Sequence, residues 1–448
     1  MTRIGVFGWG VVAPRSRNVE AFAERLAEGG QWLAPFDGFG PSNFLVGAPD
    51  FDFTDYRDWI ASRFPPNRFV GLNKKMGTPT KYAIGAFIQA LGQNPEVEAE
   101  LNALGTAAQC IVGGGLHDIP TYTRITLEAH RAQRRWDRFW ADPANNSALR
   151  AYLSEGTLPT GLQSGTPSDA TAQESSETAD SSGIPDAPSS LPIDERDEAE
   201  ERYWAFWARR SPELQTYLAE LVAIESMSVE GDVESGKQAL IRRKRSAIIA
   251  LRKKWKAPEP PWDQVSSNAL WNIGNTPASQ ISMLGKIKGM AFAPFAACSS
   301  FGYALKLGID SIRRGEAKLV VVGATDPKPH PVSVGTFYNA RVLANDGKIS
   351  KPLTGLQGTH VSGGATIWII GDLEHYQARG WRALGMEPLA VGLSADADHI
   401  ITPSVPGPTA AIRGALREAK VEADQIGDWD LHATGTPGDY LEVHTATK

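Results

Sequence analysis

Segments typical of buried strands alternate with segments of helical periodicity along this chain. Residues 3–12, 108–113 and 318–323 are short and mostly apolar, and the valine-rich run at 318–323 is typical of a strand covered on both faces. Residues 18–27 and 81–91 instead repeat apolar residues at helical spacing. Because strands separated by helices usually pair in parallel, the pattern predicts a layered α/β fold with a parallel sheet.

A weaker version of this pattern returns near the end of the chain. Residues 389–394 and 428–432 have strand-like patterns, and residues 409–420 between them have helical spacing. The order strand, helix, strand predicts the start of a second α/β half.

A polar stretch interrupts the first half. Residues 154–193 consist mainly of Ser, Thr, Gly, Pro, Asp and Ala. Ordering them would gain too little burial to offset the conformational entropy, which predicts a disordered loop. Residues 194–256 are helical in pattern, with helices at about 194–226 and 236–255. The predicted organisation is a first half at residues 1–130 and 263–385, an insertion at 131–262, and the start of a second half at 386–448.

The second helix of this insertion concentrates positive charge in an otherwise acidic chain. Two interpretations are open: a solvated face, because charge runs usually face water, or a docking face for an acidic carrier protein. The basic residues in and just after this helix are Lys237, Arg242, Arg243, Lys244, Arg245, Arg252, Lys253, Lys254 and Lys256.

The composition argues against several classes of protein. The chain has 45 Lys and Arg against 51 Asp and Glu, and this net charge of −6 offers no overall attraction to nucleic acid or an anionic membrane. It has no run of about 18 apolar residues and no signal-peptide pattern, so we expect a soluble protein. Its two cysteines, Cys110 and Cys298, form neither a disulfide framework nor a zinc-binding CxxC pair. We therefore expect a cytoplasmic protein without a metal site.

Cys298 lies where a strand, a tight turn and a helix follow one another at residues 291–315. At the N-terminus of that helix, unpaired backbone N–H groups and the helix dipole would favour a thiolate over a thiol. The turn therefore predicts a cysteine nucleophile. The alternative is an inert cysteine packed among small residues, and this is our interpretation of Cys110, which has no such turn.

At this cysteine the chain resembles the β-ketoacyl synthases of fatty-acid and polyketide assembly. That family has an A-C-S-S type nucleophile loop, a helix and a V-x-x-G-A strand, which residues 297–300 and 320–324 match in order and spacing. His432 lies 134 residues after Cys298 (432 minus 298), in a segment similar to the family's A-H-G-T-G-T-x-x-G-D loop. Further similar segments are residues 3–14, 275–289 and 396–403.

The resemblance implies a thiolase-like fold with αβαβα layers, of which the second half is incomplete in this chain. It also implies acyl transfer from an acyl-carrier protein to Cys298, followed by decarboxylative Claisen condensation with a malonyl-carrier protein. His432 would act as a neutral hydrogen-bond donor to the malonyl carbonyl as its enolate forms. No cofactor is expected beyond the phosphopantetheine of the carrier, and a homodimer or heterodimer is expected.

Three other residues match family positions. The resemblance implies that Thr434 and Thr436 bind the pantetheine arm, and the alternative is that their hydroxyls only bond the loop backbone. His399 lies beside Asp396 and Asp398, and we interpret it as part of a loop hydrogen-bond network rather than as a catalytic group.

Departures from the family pattern lead to further expectations. The histidine loop is one residue shorter than in the family, and residues 351–354 and 358–366 lack its gating aromatic and acidic residues. The chain ends at Lys448, before the family's lysine, second catalytic histidine and G-F-G-G loop, so we expect little or no condensation unless another chain supplies these groups. Two alternative functions are a non-condensing partner subunit of a ketosynthase heterodimer, against which Cys298 counts, and a cysteine-dependent acyltransferase.

Overall fold

The computed structural model describes residues 2–40, 43–156, 183–185, 188, 192, 195–228, 233–399 and 402–447. The chain divides into two compact units, Met1–Thr123 with Ser267–Lys448, and Arg124–Ser266. The sequence placed the insertion at residues 131–262, inside the second unit. The stretch predicted to be disordered, residues 154–193, lies outside the described residues apart from 154–156, 183–185, 188 and 192.

The first unit is built around a five-stranded mixed sheet. The described strands of this unit, including two outside the large sheet, are β1 (Ile4–Val12), β2 (Ala34–Pro35), β3 (Leu45–Val46), β4 (Ala108–Gly113), β5 (Ala291–Phe292), β6 (Leu319–Asp326) and β7 (Gly364–Asp372). The large sheet has the order β1-β7-β6-β4-β5, and β2 pairs with β3 separately. Strand β4 runs parallel to β5 and β6, whereas β7 runs antiparallel to β1 and β6.

The sequence prediction of a parallel sheet is therefore confirmed for β4, β5 and β6 and wrong for β7. Strand β7 starts beside the end of β6, where Gly364 pairs with Asp326. The chain re-enters the sheet at the same end of the strands from which it left, so β7 must run in the opposite direction to β6.

The helices of the described residues are α1 (Val19–Glu28), α2 (Arg57–Ala61), α3 (Asn67–Lys75), α4 (Thr78–Gly92), α5 (Glu96–Ala103), α6 (Ile119–Trp140), α7 (Ser147–Glu155), α8 (Arg196–Arg209), α9 (Pro212–Glu225), α10 (Val233–Trp255), α11 (Pro261–Gln264), α12 (Thr276–Leu284), α13 (Ser300–Arg313), α14 (Pro331–Asn339), α15 (Leu373–Ala378), α16 (Pro406–Ala419) and α17 (Gly438–Ala446). Among the described helices, none is both long and apolar enough to cross a membrane.

Helices cover both faces of the large sheet. Helices α4 and α12 contribute to the apolar core on one face, and α13 contributes to the core on the other. Strand β6 is buried along most of its length, as its valine-rich sequence predicted. Helix α4 approaches β1 closely because Gly10 has no side chain, and a Cβ there would collide with the carbonyl oxygen of Ala86. The end of β4 lies beside the start of α13, where the Ser300 hydroxyl is 3.1 Å from the carbonyl oxygen of Gly114.

The second unit is helical around an aromatic core. Its buried side chains include Trp136, Trp140, Tyr217, Leu221 and Leu251. Helix α10 forms as predicted, and its Lys244, Arg252 and Lys254 pair with glutamates. The remaining cations of this basic segment form no ion pair with another described residue: Lys237, Arg242, Arg243, Arg245, Lys253 and Lys256. Their exposure fits either interpretation of this face.

The C-terminal strand predictions are wrong for residues 389–394 and 428–432, which are extended or irregular and pair with no described strand. A strand needs a hydrogen-bonded neighbour, which a local sequence pattern does not specify. The predicted helix between these segments is present as α16.

Candidate active site

The turn that carries Cys298 is fixed by one serine. A single 3-10 turn, Ala297–Ser299, precedes α13. The Ser300 hydroxyl accepts the N–H of Ala296 at 3.0 Å and lies 2.8 Å from the carbonyl oxygen of Ala297 and 3.1 Å from that of Gly114. Ala297 adopts a left-handed φ of 47°, a conformation that is costly for a residue with a side chain. The turn is therefore strained, and it presents Cys298 as an exposed thiol.

The structure brings Cys298 and His432 together. Their side chains form a hydrogen bond, which is the largest cause of a lowered pKa of Cys298, and the charge of His432 acts in the same direction. The same bond raises the pKa of His432, assisted by the negative charges of Cys298, Glu442 and Asp439. Burial opposes both shifts, because it disfavours the charged forms. Each side chain therefore stabilises the charged form of the other, while the neutral imidazole expected for the condensation step stays a prediction.

A glutamate that the sequence analysis missed orients the histidine loop. Glu442, on α17, accepts the backbone N–H of His432 at 2.7 Å and that of Ala433 at 3.0 Å. The segment is not a strand, so these two bonds hold its backbone instead of a sheet ladder. The only sequence signal was an acidic residue ten positions after the histidine, and such a separation indicates no contact by itself.

Thr434 and Thr436 lie in the same loop and are half-buried. Their hydroxyls are 3.0 Å apart, and the Thr434 hydroxyl lies 3.5 Å from Asp439 Oδ1. Asp439 is 2% exposed, and its Oδ2 accepts the N–H groups of Gly435 at 3.0 Å and Leu353 at 3.1 Å. The two hydroxyls thus bond side chains of the loop rather than its backbone, and pantetheine binding by the two threonines stays a prediction.

Asp326 is a second acidic residue that the sequence analysis missed. At the end of β6, its Oδ1 accepts the N–H groups of Gly115 at 2.9 Å and Leu116 at 2.7 Å. Burial raises the pKa of Asp326, and the two N–H donors lower it. Its negative charge also raises the pKa of Cys298, although this is the smallest of the effects on the thiol.

His399 and Cys110, the other residues considered in the sequence analysis, have structural roles. His399 Nδ1 accepts the N–H of Thr402 at 3.0 Å, and Asp396 bonds the backbone and hydroxyl of Ser404. Cys110 is fully buried, and burial raises the pKa of its thiol. Within the described part of the chain, no cluster of His, Cys, Asp and Glu is suited to hold a metal ion.

The part of the chain that carries Cys298 is similar to known proteins. Residues 244–375, which include Cys298, match the family model described as "Beta-ketoacyl synthase, N-terminal domain". Nodulation protein E from Rhizobium meliloti is 34% identical over 172 residues, which cover 38% of this chain and 42% of that protein. The 3-oxoacyl-[acyl-carrier-protein] synthase 2 from Rhizobium meliloti (strain 1021) is 32% identical over 177 residues, with coverage of 38% and 42%. The match thus spans less than half the length of these relatives.

The architecture is also that of a known fold. The crystal structure of a β-ketoacyl synthase from Burkholderia phymatum STM815 superposes with a TM-score of 0.60, at 16% identity, over 100% of this chain and 78% of that one. The predicted thiolase-like α/β fold class is confirmed. Fold and site define a thiolase-like α/β protein with a cysteine–histidine pair at the end of its sheet. Within this fold, residues 244–375 are similar to the N-terminal domain of β-ketoacyl synthases.

Proposed function

We propose that this chain is a condensing enzyme that accepts an acyl group on Cys298 and extends it. The observation that carries the proposal is the hydrogen bond between Cys298 and His432, which lowers the pKa of the thiol. A thiolate is the form of cysteine that attacks carbonyl carbon, so the pair supplies this nucleophile at lower pH than an unpaired cysteine would.

In the first half-reaction, Sγ of Cys298 attacks the carbonyl carbon of an acyl thioester. The new C–S bond forms, the bond to the carrier sulfur breaks, and the His432 imidazolium protonates the departing thiolate. The acyl-enzyme no longer has an anionic sulfur to raise the pKa of His432. Acylation therefore produces the neutral imidazole that the second half-reaction needs.

In the second half-reaction, a malonyl thioester loses carbon dioxide, and the electron pair of the broken C–C bond forms an enolate. Neutral His432 donates a hydrogen bond to the enolate oxygen. The enolate carbon attacks the acyl carbonyl, a C–C bond forms, and Sγ of Cys298 leaves as a thiolate. The proposed pathway is fatty-acid or polyketide assembly.

An acyl-carrier protein is the proposed partner, without a cofactor beyond its phosphopantetheine. A groove between α2 and α3 is lined by Arg57, Phe69, Val70, Asn73 and Lys74. Val70 is 62% exposed, and neither Arg57 nor Lys74 forms an ion pair with a described residue. An apolar contact flanked by cations suits an acidic carrier surface.

We also propose a dimer and a cytoplasmic location. Strand β5 is an edge of the large sheet, and both of its residues are exposed. Met290 and Phe292 are each more than 40% exposed, so the edge offers backbone hydrogen bonds together with apolar contacts. Both cysteines are unpaired, which suits a reducing compartment.

Intact mass after incubation with an acyl-pantetheine thioester tests the proposal. We expect one acyl adduct on the parent protein and on Cys110→Ala, which keeps the nucleophile, and none on Cys298→Ala. Carbon dioxide release from a malonyl thioester should then follow acylation. An adduct without this release would favour the acyltransferase, and no adduct on the parent would contradict acceptance of an acyl group by Cys298.

A further inference from the structure

His360 joins two segments of the first unit through both of its ring nitrogens. It is half-buried in the segment that precedes β7. Its Nε2 lies 2.9 Å from the backbone nitrogen of Ser350, and its Nδ1 lies 3.1 Å from the carbonyl oxygen of Leu45. A backbone N–H only donates and a carbonyl only accepts, so Nε2 accepts from Ser350 and Nδ1 donates to Leu45. Both bonds together therefore require the neutral imidazole with its proton on Nδ1.

The Leu45 end of this link is part of a well-bonded region. Leu45 belongs to β3, and Gly47 directly follows that strand. The N–H of Gly47 donates to the carbonyl oxygen of Val361 at 2.9 Å, and the hydroxyl of Ser362 donates to the carbonyl oxygen of Gly47 at 3.0 Å. The two residues after His360 are thus bonded beside β3. These contacts fix the position of the imidazole relative to that strand.

The Ser350 end of the link reaches the histidine loop. Ser350 is 9% exposed, and a Cβ at Gly435 would collide with its hydroxyl oxygen, so this oxygen lies directly against Gly435. The N–H of Gly358 donates to the carbonyl oxygen of Gly435 at 2.9 Å. The N–H of Leu353 donates to Oδ2 of Asp439 at 3.1 Å. The segment from Ser350 to Gly358 therefore contacts the histidine loop at Gly435 and at Asp439.

These contacts complete the support of His432. Glu442 accepts the backbone N–H of His432 and so holds the start of the loop. Gly435 lies three positions further on, with a left-handed φ of 77°, and is held by Ser350 and Gly358. A displacement of Ser350 would therefore displace the backbone that carries His432. Hydrogen bonds weaken steeply with poor geometry, so a small displacement is enough to weaken the bond from His432 to the thiol.

We infer that His360 is a positioning residue for His432, because its imidazole holds Ser350 and Ser350 holds the loop that carries the partner of Cys298. The inference rests on the proposed function, since it concerns the same cysteine–histidine pair. His360 acts through Ser350 and the loop backbone, without contact to an acyl group. The bond that Nε2 accepts carries this effect, because Ser350 is the end of the link that reaches Gly435.

Alkylation of Cys298 by iodoacetamide measures the pair without any acyl transfer. Cys110 is fully buried, so Cys298 is the thiol that reacts. His360→Leu removes both bonds of the imidazole. Because a displaced His432 bonds the thiol less well, we expect the midpoint of the pH–rate profile to move to higher pH and the rate at neutral pH to fall about threefold. His375→Leu is the matched control, an exposed histidine on α15 after the far end of β7, and should leave the profile unchanged.

Two amide variants separate positioning from a general loss of stability. The amide oxygen of His360→Gln reaches the position of Nε2 and can accept the N–H of Ser350, whereas the shorter side chain of His360→Asn reaches only the position of Nδ1, near Leu45. We expect His360→Gln to alkylate within about 1.5-fold of the parent rate and His360→Asn to be slower by about threefold, as in His360→Leu. A merely structural role would give the two amide variants equal effects, and urea denaturation of each variant records its stability.

An unmoved midpoint in folded His360→Leu, or equal midpoints in His360→Gln and His360→Asn, would overturn the inference. If His360→Leu does not fold, as judged by circular dichroism, the comparison of the two amide variants decides by itself. Intact mass after incubation with acetyl-pantetheine separates this inference from the proposed function. Midpoints that shift as expected, without an acyl adduct on the parent, would support the role of His360 and contradict acceptance of an acyl group by Cys298.

Discussion

The imidazole of His432 forms a hydrogen bond with the thiol of Cys298. In the sequence, Cys298 precedes β7, the last strand of the sheet, and His432 follows it. Cys298 is placed by a strained turn before α13, and His432 is placed by two bonds from its loop backbone to Glu442. The pKa values of the two side chains shift in opposite directions because each charged form stabilises the other. The reactivity of the cysteine therefore depends on the geometry of the histidine loop.

Replacement of His432 should make Cys298 less reactive. The hydrogen bond lowers the pKa of the thiol, so His432→Ala should raise it and move the midpoint of the pH–rate profile for iodoacetamide alkylation to higher pH. Hydrogen bonds to charged groups contribute about 1.5–3 kcal/mol, and exposure places this pair at the lower end, which predicts about tenfold slower alkylation at pH 7. His444→Gln, an exposed histidine on α17, is the control. An unmoved midpoint would show that His432 does not tune the thiol.

Neutralisation of Asp326 should have the opposite effect on the same profile. The charge of Asp326 raises the pKa of Cys298, so Asp326→Asn should lower it and move the alkylation midpoint to lower pH. The asparagine oxygen can still accept the N–H groups of Gly115 and Leu116, so the loop should keep its position. Asp346→Asn, at an exposed site, should leave the profile unchanged. A shift to higher pH would contradict the assigned sign.

Glu442 should affect both the position of His432 and the pKa of its imidazole. Its charge raises the pKa of His432, so both Glu442→Gln and Glu442→Ala should lower that pKa, as measured by NMR titration of the imidazole. His432 and Ala433 donate to different oxygens of Glu442, so glutamine keeps an acceptor for one of these N–H groups and alanine for neither. At about 1 kcal/mol for each bond, alanine should slow acylation by about tenfold and glutamine by less. Glu374→Gln is the exposed control. Equal rates for the Gln and Ala variants would mean that the loop holds its position without these bonds.

The sequence analysis found the features that depend on neighbouring residues. The strand, turn and helix around Cys298 and the helical spacing of α4, α10 and α16 are local patterns, and the structure has all of them. Residues 389–394 and 428–432 have a local strand pattern, but no described strand pairs with them.

Contacts between distant segments escaped the sequence analysis. The hydrogen bonds from Gly115 to Asp326 and from His432 to Glu442, and the ring stack of Phe295 and His117, join segments that only the fold brings together. The antiparallel direction of β7 was not predicted for the same reason, because it depends on where the chain leaves β6 and returns to the sheet. The position of Cys298 at a helix N-terminus predicted that the pKa of its thiol is lowered. In the structure the pKa is lowered, but the largest cause is the hydrogen bond to His432.

Asp439 should control the stability of the histidine loop more through its oxygen atoms than through its charge. Its Oδ2 accepts the buried N–H of Gly435 and the N–H of Leu353, and so links two loops. Asp439→Ala leaves these donors without an acceptor and should lower the free energy of unfolding by about 2–4 kcal/mol. Asp439→Asn can keep an oxygen at the Oδ2 position and direct its amide toward Thr434, so its loss should be less than half as large.

Urea denaturation of both variants, with the exposed Asp430→Ala as control, measures this difference. Comparison of the loss in unfolding free energy between the two variants shows whether the charge of Asp439 or its hydrogen bonds contribute more. If Asn destabilises as much as Ala, the negative charge of Asp439 is what holds the loop, and the accepted N–H groups are secondary. If only Ala destabilises, the loop that carries His432 depends on hydrogen-bond geometry, and the acylation rate of Cys298 should fall in Asp439→Ala while Asp439→Asn retains most of it.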